Sequence, residues 1–383
     1  MESTSLLVIG AGPYGLATAA RAMDTGVDTI VVGRPMSFWT DHMPAGMFLR
    51  SGVDWHLDAS GIHTFEAFLE DARIAPKDID PVPIDVFLGY AAWFQRHKRV
   101  AVREDLVAEL VKSNGRFEVV TQSGTRIAAS AVVAAPGIAF FEALPEWAAS
   151  VPNGMGSHTC DLVRFEALHG ARVLIVGGRQ SAYEWAALIG QAGAERIDIV
   201  HRHDEPRFDR VSWKFVDPYM EETVRVPGWW RHLSQAERDA IGRRFWEAGR
   251  LTLEWWLTPR LTGSRFHRWS GTQVVEVHDG PADGEATAVL SNGERLVANR
   301  VVYATGYRAS LSDVPYLRGV LNGIQTIDGS PVLDESLQSS LSGLYFTGFS
   351  AARDFGPFFG FTKACPAAAT LIVNDLDRPT YRL

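Results

Sequence analysis

Apolar residues gather into short unbroken runs at two distant places in the chain, and glycines end both runs. Leu6-Leu7-Val8-Ile9 leads into Gly10-Ala11-Gly12-Pro13-Tyr14-Gly15, and Val173-Leu174-Ile175-Val176 leads into Gly177-Gly178-Arg179-Gln180-Ser181-Ala182. A continuous apolar run of this length suits a strand buried on both faces of a parallel sheet. Tyr14 to Met23 is alanine-rich and helix-favouring, Gly26 closes it, and Val27 to Val32 supplies the next strand. The second run repeats the scheme: a strand over Arg172–Val176, a helix over Ser181–Gly190 and a strand over Ile197–Val200. Elsewhere apolar and polar positions alternate. Phe117–Thr121 and Thr125–Val133 flank Gln122-Ser123-Gly124, while Thr287–Leu290 and Glu294–Val302 flank Ser291-Asn292-Gly293. Both read as hairpins. The first runs into Ala134-Ala135-Pro136-Gly137 and the second into Ala304-Thr305-Gly306-Tyr307. The pattern therefore predicts an α/β protein with two Rossmann-like units, each followed by a hairpin and a small-residue turn.

A glycine turn between a strand and a helix lets backbone approach a pyrophosphate that rests on the helix N-terminus. Gly10, Gly12, Pro13, Tyr14 and Gly15 are the candidates at the first turn. The acidic residue that usually ends the following strand and holds a ribose is absent, and Gly33-Arg34 stands there. Arg34 is then a candidate for the adenosine or a phosphate, and Ser37 for a ribose hydroxyl. At the second turn Gly177, Gln180 and Ser181 fit the fingerprint, but Arg179 occupies the position of its second glycine. Two readings stay open there, an arm that pairs with phosphate or a plug that blocks it. His201-Arg202 follows the next strand. Arginine there accommodates the 2′-phosphate of NADP, so NADPH is expected over NADH. Two dinucleotides in one chain point to electron transfer between nicotinamide and flavin.

Bulk properties narrow the field. With 383 residues, 46% hydrophobic and 21% charged, the chain has the composition of an ordinary globular protein long enough for two or three domains. A net charge of −8 with no basic block argues against nucleic acid. Met1-Glu2-Ser3-Thr4-Ser5 lacks the basic region of a signal peptide, and no apolar stretch is long enough to span a bilayer, so a soluble cytoplasmic enzyme is expected. The two cysteines, Cys160 and Cys365, form no C-x-x-C pair, which argues against a dithiol relay. No metal cluster or G-x-S-x-G elbow stands out, and His201-Arg202-His203 reads as a solvated basic run or an anion site sooner than a metal site.

Taken in order, Gly10-Ala11-Gly12-Pro13-Tyr14-Gly15, Ser157-His158-Thr159, Ala304-Thr305-Gly306-Tyr307 and Gly343-Leu344-Tyr345-Phe346-Thr347-Gly348-Phe349 resemble the motifs of class B flavin-dependent monooxygenases. That superfamily includes flavin-containing monooxygenases, YUCCA enzymes, N-hydroxylases and Baeyer–Villiger enzymes. The resemblance implies FAD on the first unit, with Thr305, Gly306, Gly348 and Phe349 completing the nucleotide sites. It implies NADPH on a second unit inserted into the first: residues 1–165 and 299–383 for FAD, and 166–298 for NADPH with a helical Trp-rich segment over 213–270. The implied chemistry is hydride transfer to flavin, formation of a C4a-hydroperoxide with dioxygen, and oxygen insertion into a small organic substrate. Pro152 and Leu162 depart from the Baeyer–Villiger fingerprint around His158, which favours oxygenation at nitrogen or sulfur. The loop from Phe38-Trp39 to Arg50-Ser51 aligns with the segment that reaches the flavin ring, so Trp39 is a flavin candidate. Arg50 is expected to stabilise a peroxyflavin anion or a substrate carboxylate, and Asp54 with His56 to shuttle a proton. Most tryptophans of the 213–270 segment are expected in the core, the rest around a substrate cavity, and Ser234-Gln235-Ala236-Glu237 is expected to open a helix with a capping box. A flavoprotein reductase that passes electrons to another acceptor is the alternative.

Overall fold

A computed structural model describes residues 2–376. Strand β1 (Glu2–Ile9), helix α1 (Pro13–Asp24) and strand β2 (Thr29–Val32) form the first unit. β1 begins four residues earlier than its apolar run, because Glu2–Thr4 pair with Ile127–Ala129 of the long strand β3 (Arg126–Ala134). β1 lies between β2 and β3, all parallel, with Val102–Arg103 outside β2. The predicted hairpin partner, Arg116–Thr121, pairs antiparallel with the early half of β3, and Val107–Ser113 lies beyond it. Leu6, Leu7 and Val8 are fully buried between the covering layers, each side chain contributing about 1.5–3 kcal/mol.

Strand β4 (Arg172–Val176), helix α2 (Gln180–Gln191) and strand β5 (Arg196–His201) repeat the arrangement in a second sheet of five parallel strands. Its order is Phe266–Ser270, β5, β4, β6 (Arg300–Tyr303) and Gly156–His158. The predicted strand Glu294–Val302 is in fact broken at Asn299. Arg295–Ala298 stays in a three-stranded antiparallel sheet, while β6 joins the parallel one. Asn299 makes the switch by fastening to Arg172: its N–H donates to the Arg172 carbonyl at 2.7 Å, and its side-chain oxygen accepts the Arg172 N–H at 3.0 Å.

The chain returns to the first sheet through β7 (Leu344–Phe346), which pairs with the late half of β3 where the hairpin has left that edge free. The 207–270 stretch is mixed in structure: helices, a π-turn over Glu247–Leu251, short strands, and an edge strand that the sequence pattern did not announce. Its helix Gln235–Trp246 opens with the expected capping box between Ser234 and Glu237. No helix of the described residues is long and apolar enough to cross a membrane.

Candidate active site

Register brings the carboxyl ends of four strands to one level in the first sheet and of three in the second. In the first, Ile9 is opposite Val32 and Ala134, and Ala134 is opposite Phe346, so Gly10, Gly33, Ala135 and Thr347 emerge together. In the second, Val176 is opposite Val200 and Tyr303, so Gly177, His201 and Ala304 emerge together. Ligands of open α/β sheets bind in the crevice at such strand ends.

A cavity of about 380 Å³ reaches both turns. Gly12, Pro13, Tyr14 and Gly15 line it from the first and Arg179, Gln180 and Ser181 from the second. Gly12 is the N-cap of α1 and Arg179 the N-cap of α2, and no side chain caps either helix. A Cβ on Gly12 would meet nothing within 4 Å, so the space before that turn is open to a ligand. Tyr14 turns away to hold the far wall, its hydroxyl 2.7 Å from the carbonyl oxygens of both Phe359 and Phe361. Burial raises its pKa well above the ordinary phenol value. Gly348 and Phe349 border the same space, and the Thr347 hydroxyl oxygen beside them is buried without a hydrogen-bond partner. An orphaned hydroxyl and an open glycine in one crevice fit a polar ligand that supplies the missing contacts.

Aromatic and thioether side chains form much of the remaining wall: Trp39, Trp55, Trp185, Trp213, Met43 and Met47. The loop that the resemblance aligned with the flavin ring does reach the cavity through Phe38, Trp39 and Arg50. Among the 213–270 tryptophans, Trp213 lines the cavity and Trp256 is buried in the second core, its indole N–H donating to Glu184. Trp55, Trp185 and Arg250 are lining residues that the motifs did not single out, because each stands outside them and nothing in its local pattern marks it, while Thr347 lies within the Gly343–Phe349 motif but was not named as a contact.

Arg50 spends its donors on the wall. Its Nε donates to Glu254 at 2.9 Å, Nη1 to the Gly249 carbonyl at 2.8 Å, and Nη2 to the Ala248 and Thr252 carbonyls at 3.1 and 2.9 Å. Burial lowers its pKa and Glu254 opposes that shift. These bonds staple the π-turn over Glu247–Leu251 to the loop of the first unit. Glu184, also in the lining, is matched by Arg260 at 2.6 Å.

Several candidates lie elsewhere. Asp54 and His56 line a second, more open cavity of about 610 Å³ with Asp217 and Lys363, and Lys363 lies 2.6 Å from Asp217 and 3.6 Å from Asp54. Burial lowers the pKa of His56. Arg34 is 53% exposed in a 3.1 Å ion pair with Asp41, and neither it nor Ser37 borders the main cavity. His201 is buried under the second turn, Nδ1 2.9 Å from the His203 carbonyl oxygen and Nε2 3.0 Å from the Tyr183 hydroxyl. Arg202 beside it is exposed and contributes to depressing the pKa of Arg179. Thr305 and Gly306 hold together the two connections between the sheets. The Thr305 hydroxyl donates to the Ala143 carbonyl at 2.5 Å, and the Gly306 carbonyl accepts the Ala143 N–H at 3.0 Å. His158 joins the same crossing, 3.2 Å from the Gly306 carbonyl and 3.1 Å from Cys160, whose thiol donates to Glu142 at 2.9 Å.

Comparisons with known proteins agree with this architecture. The family described as pyridine nucleotide-disulphide oxidoreductase matches residues 7–227. Ferredoxin–NADP reductase 1 of Cupriavidus metallidurans is 28% identical over 211 residues, 52% of this chain and 52% of its own length. The chain thus spans about half the length of the curated relatives it matches. The ornithine N-hydroxylase of Kutzneria sp. 744, solved with reduced FAD, NADP+ and L-ornithine, superposes with a TM-score of 0.81 over 99% of this chain and 100% of its own at 14% identity. The ornithine hydroxylase of Pseudomonas aeruginosa gives 0.77 over 98% of both chains at 18% identity. At such identities these two likenesses establish the fold alone, which this chain shares with both ornithine hydroxylases.

Proposed function

The chain belongs to the pyridine nucleotide-disulphide oxidoreductase family, and on that premise we propose that it is an FAD- and NADPH-dependent monooxygenase oxygenating a small organic substrate at nitrogen or sulfur. The observation that carries this reading is the single cavity onto which both glycine turns open. FAD belongs at the first turn, where open Gly12 and unpartnered Thr347 fit it, and NADPH at the second, with Arg202 on its 2′-phosphate. Bound there, the flavin supplies hydride acceptance from NADPH and the activation of dioxygen.

The chain's own contribution is to seat, orient and shield. Backbone at Gly12 admits a pyrophosphate against α1, and Tyr14 ties that helix to the Phe359–Phe361 wall. Trp39, Trp55 and Trp213 keep water from the space between the units. Arg50 fixes that wall to the first unit, so its part in this reading is positional. The relatives support the reading from two sides. The ornithine hydroxylases share the fold across nearly the whole chain, which favours amines such as ornithine as substrates. The ferredoxin–NADP reductases match half of it and favour a second reading, a reductase delivering electrons to a protein acceptor.

Purified flavoprotein, NADPH and dioxygen, offered a panel of diamines, amino acids and sulfides, test the choice. In a monooxygenase one oxygen atom enters the product and the other leaves as water, so a substrate gains 16 mass units for each NADPH consumed. NADPH oxidation that yields only peroxide on every substrate, with rapid reduction of ferredoxin, supports the reductase instead.

A further inference from the structure

Four arginines stand at or behind the cavity near the second turn, and their counter-charges do not match in number. Arg50 is paired with Glu254 and Arg260 with Glu184. Arg179 and Arg250 line the cavity with no carboxylate partner among the described residues. Arg179 instead lies over the Trp246 ring, 4.4 Å from its centroid. The pKa of Arg250 is lowered to about 10 by burial and then by the charges of Arg179 and Arg50. A half-buried cation without an anion costs free energy, and no hydrogen bond or ion pair among the described residues offsets that cost for Arg250.

The fold nevertheless fixes the backbone that carries Arg250. It sits in the π-turn over Glu247–Leu251, and Arg50 caps the carbonyls on both sides of it, Ala248 and Gly249 before and Thr252 after. A cation carried on a fastened turn of the cavity wall, with two more cations in the same lining, suits an anion that comes from outside. The neighbouring turn says which anion. The residue that would let a pyrophosphate touch backbone is Arg179 where the first turn has Gly12, so phosphate at the second turn has to be met by side chains.

We propose that Arg250 and Arg179 together hold the pyrophosphate of the nicotinamide dinucleotide, two guanidinium forks replacing the close backbone approach that glycine permits at the first turn. This rests on the second turn being the nicotinamide site. Arg179 is then an arm and not a plug, and the 207–270 insertion supplies a nucleotide contact as well as a cavity wall. Because NAD and NADP share the pyrophosphate, the pair acts on both nucleotides alike, whereas Arg202 acts on the 2′-phosphate alone.

The test is a titration of the purified flavoprotein with NADP+ and with NAD+, followed by the change in flavin absorbance. R250Q is expected to weaken both by about tenfold, with their ratio unchanged and flavin content intact. R179Q, at a residue outside the stapled π-turn, is expected to do the same and carries the test if R250Q does not fold. Affinities within twofold of wild type in both variants overturn the proposal. So does a loss confined to the apparent affinity for a carboxylate-bearing substrate, which would make the pair a substrate-anion site. Wild type that binds neither nucleotide overturns the functional reading itself, a result distinct from variants that bind as wild type does.

Discussion

At the first turn a Cβ on Gly10 would run into the carbonyl oxygen of Ala135, and at the second a Cβ on Gly177 would run into that of Ala304. Both glycines also have positive φ, +108° and +134°. So far the two units are copies: strand, glycine, and a small-residue turn from the strand alongside pressing on it. One residue further they trade places. The first unit has Ala11 on the turn and Gly33 at the end of β2, where a Cβ would come 2.8 Å from the Ala11 nitrogen. The second has Gly178 on the turn and His201 at the end of β5, and a Cβ on Gly178 would run into the His201 ring. The contact is conserved in kind while its bulk passes from turn to strand. At the helix N-cap the units part entirely, Gly12 against Arg179. Glycines that serve the fold are thus separable from glycines that serve a ligand.

The largest expected effect attacks what the units share. G10A and G177A should each lower stability by about 3 kcal/mol or more, through steric overlap with backbone added to an unfavourable φ, read as soluble yield and denaturant midpoint. If G177A is tolerated and G10A is not, the second turn is the looser one and the symmetry is only apparent.

Next comes the glycine that packing does not require. Gly12 has φ −77° and ψ −172°, which valine adopts without strain, and open space lies before it. G12V should therefore fold yet retain less than about a tenth of the flavin, with a melting temperature lowered only by the lost ligand. Full flavin content in G12V would remove Gly12 from the pyrophosphate seat. A smaller and more selective change is expected from R202A. The KM for NADPH should rise about tenfold while that for NADH moves less than twofold, the size of one charge-assisted contact. Equal effects on both nucleotides would detach Arg202 from the 2′-phosphate.

What the chain discloses before folding follows the same division. Strand–glycine–helix units are local: Arg172–Val176 was legible to the residue, and α1 and α2 to within one at either end. The fold itself matches the expected pair of Rossmann-like units. Parts decided by distant pairing were not legible. The break at Asn299 depends on Arg172, more than a hundred residues away, and the early start of β1 on the hairpin strand β3. The cavity wall fared worst. Arg50 was visible as a cation near the flavin loop, but its bonds to residues 248–254 come from a segment about two hundred positions along. Arg250 belongs to no motif and acquires its setting only when that π-turn is fastened. Asp54 and His56 are close in sequence to cavity residues, yet the chain turns them into the neighbouring cavity.

The smallest effect tests the exchanged contact through pH. At the strand end the first unit has glycine, which carries no titrating group, and the second has a buried histidine with both ring nitrogens engaged. A neutral ring with its proton on Nδ1 donates to the His203 carbonyl and accepts from the Tyr183 hydroxyl. A second proton, on Nε2, would take away the acceptor for that hydroxyl's hydrogen and place a charge under the turn. Burial accordingly lowers the pKa of His201 below its ordinary 6.5, outweighing the hydrogen bond to the His203 carbonyl, which raises it. The unfolded chain then takes up the proton first as pH falls. The stability this group contributes is complete above about pH 6.5 and drains away as pH drops through the lower folded value. H201Q keeps a polar side chain and does not titrate, so wild type should lose its margin over the variant between pH 7.5 and 5.5, by about a degree or two in Tm. The other histidines with lowered pKa values, half-buried His56 and buried His158, are common to both proteins and cancel in the difference. A margin that stays constant with pH would mean that His201 is as easily protonated folded as unfolded. Its place beneath Gly178 would then be a matter of volume alone, as Ala11 is opposite Gly33.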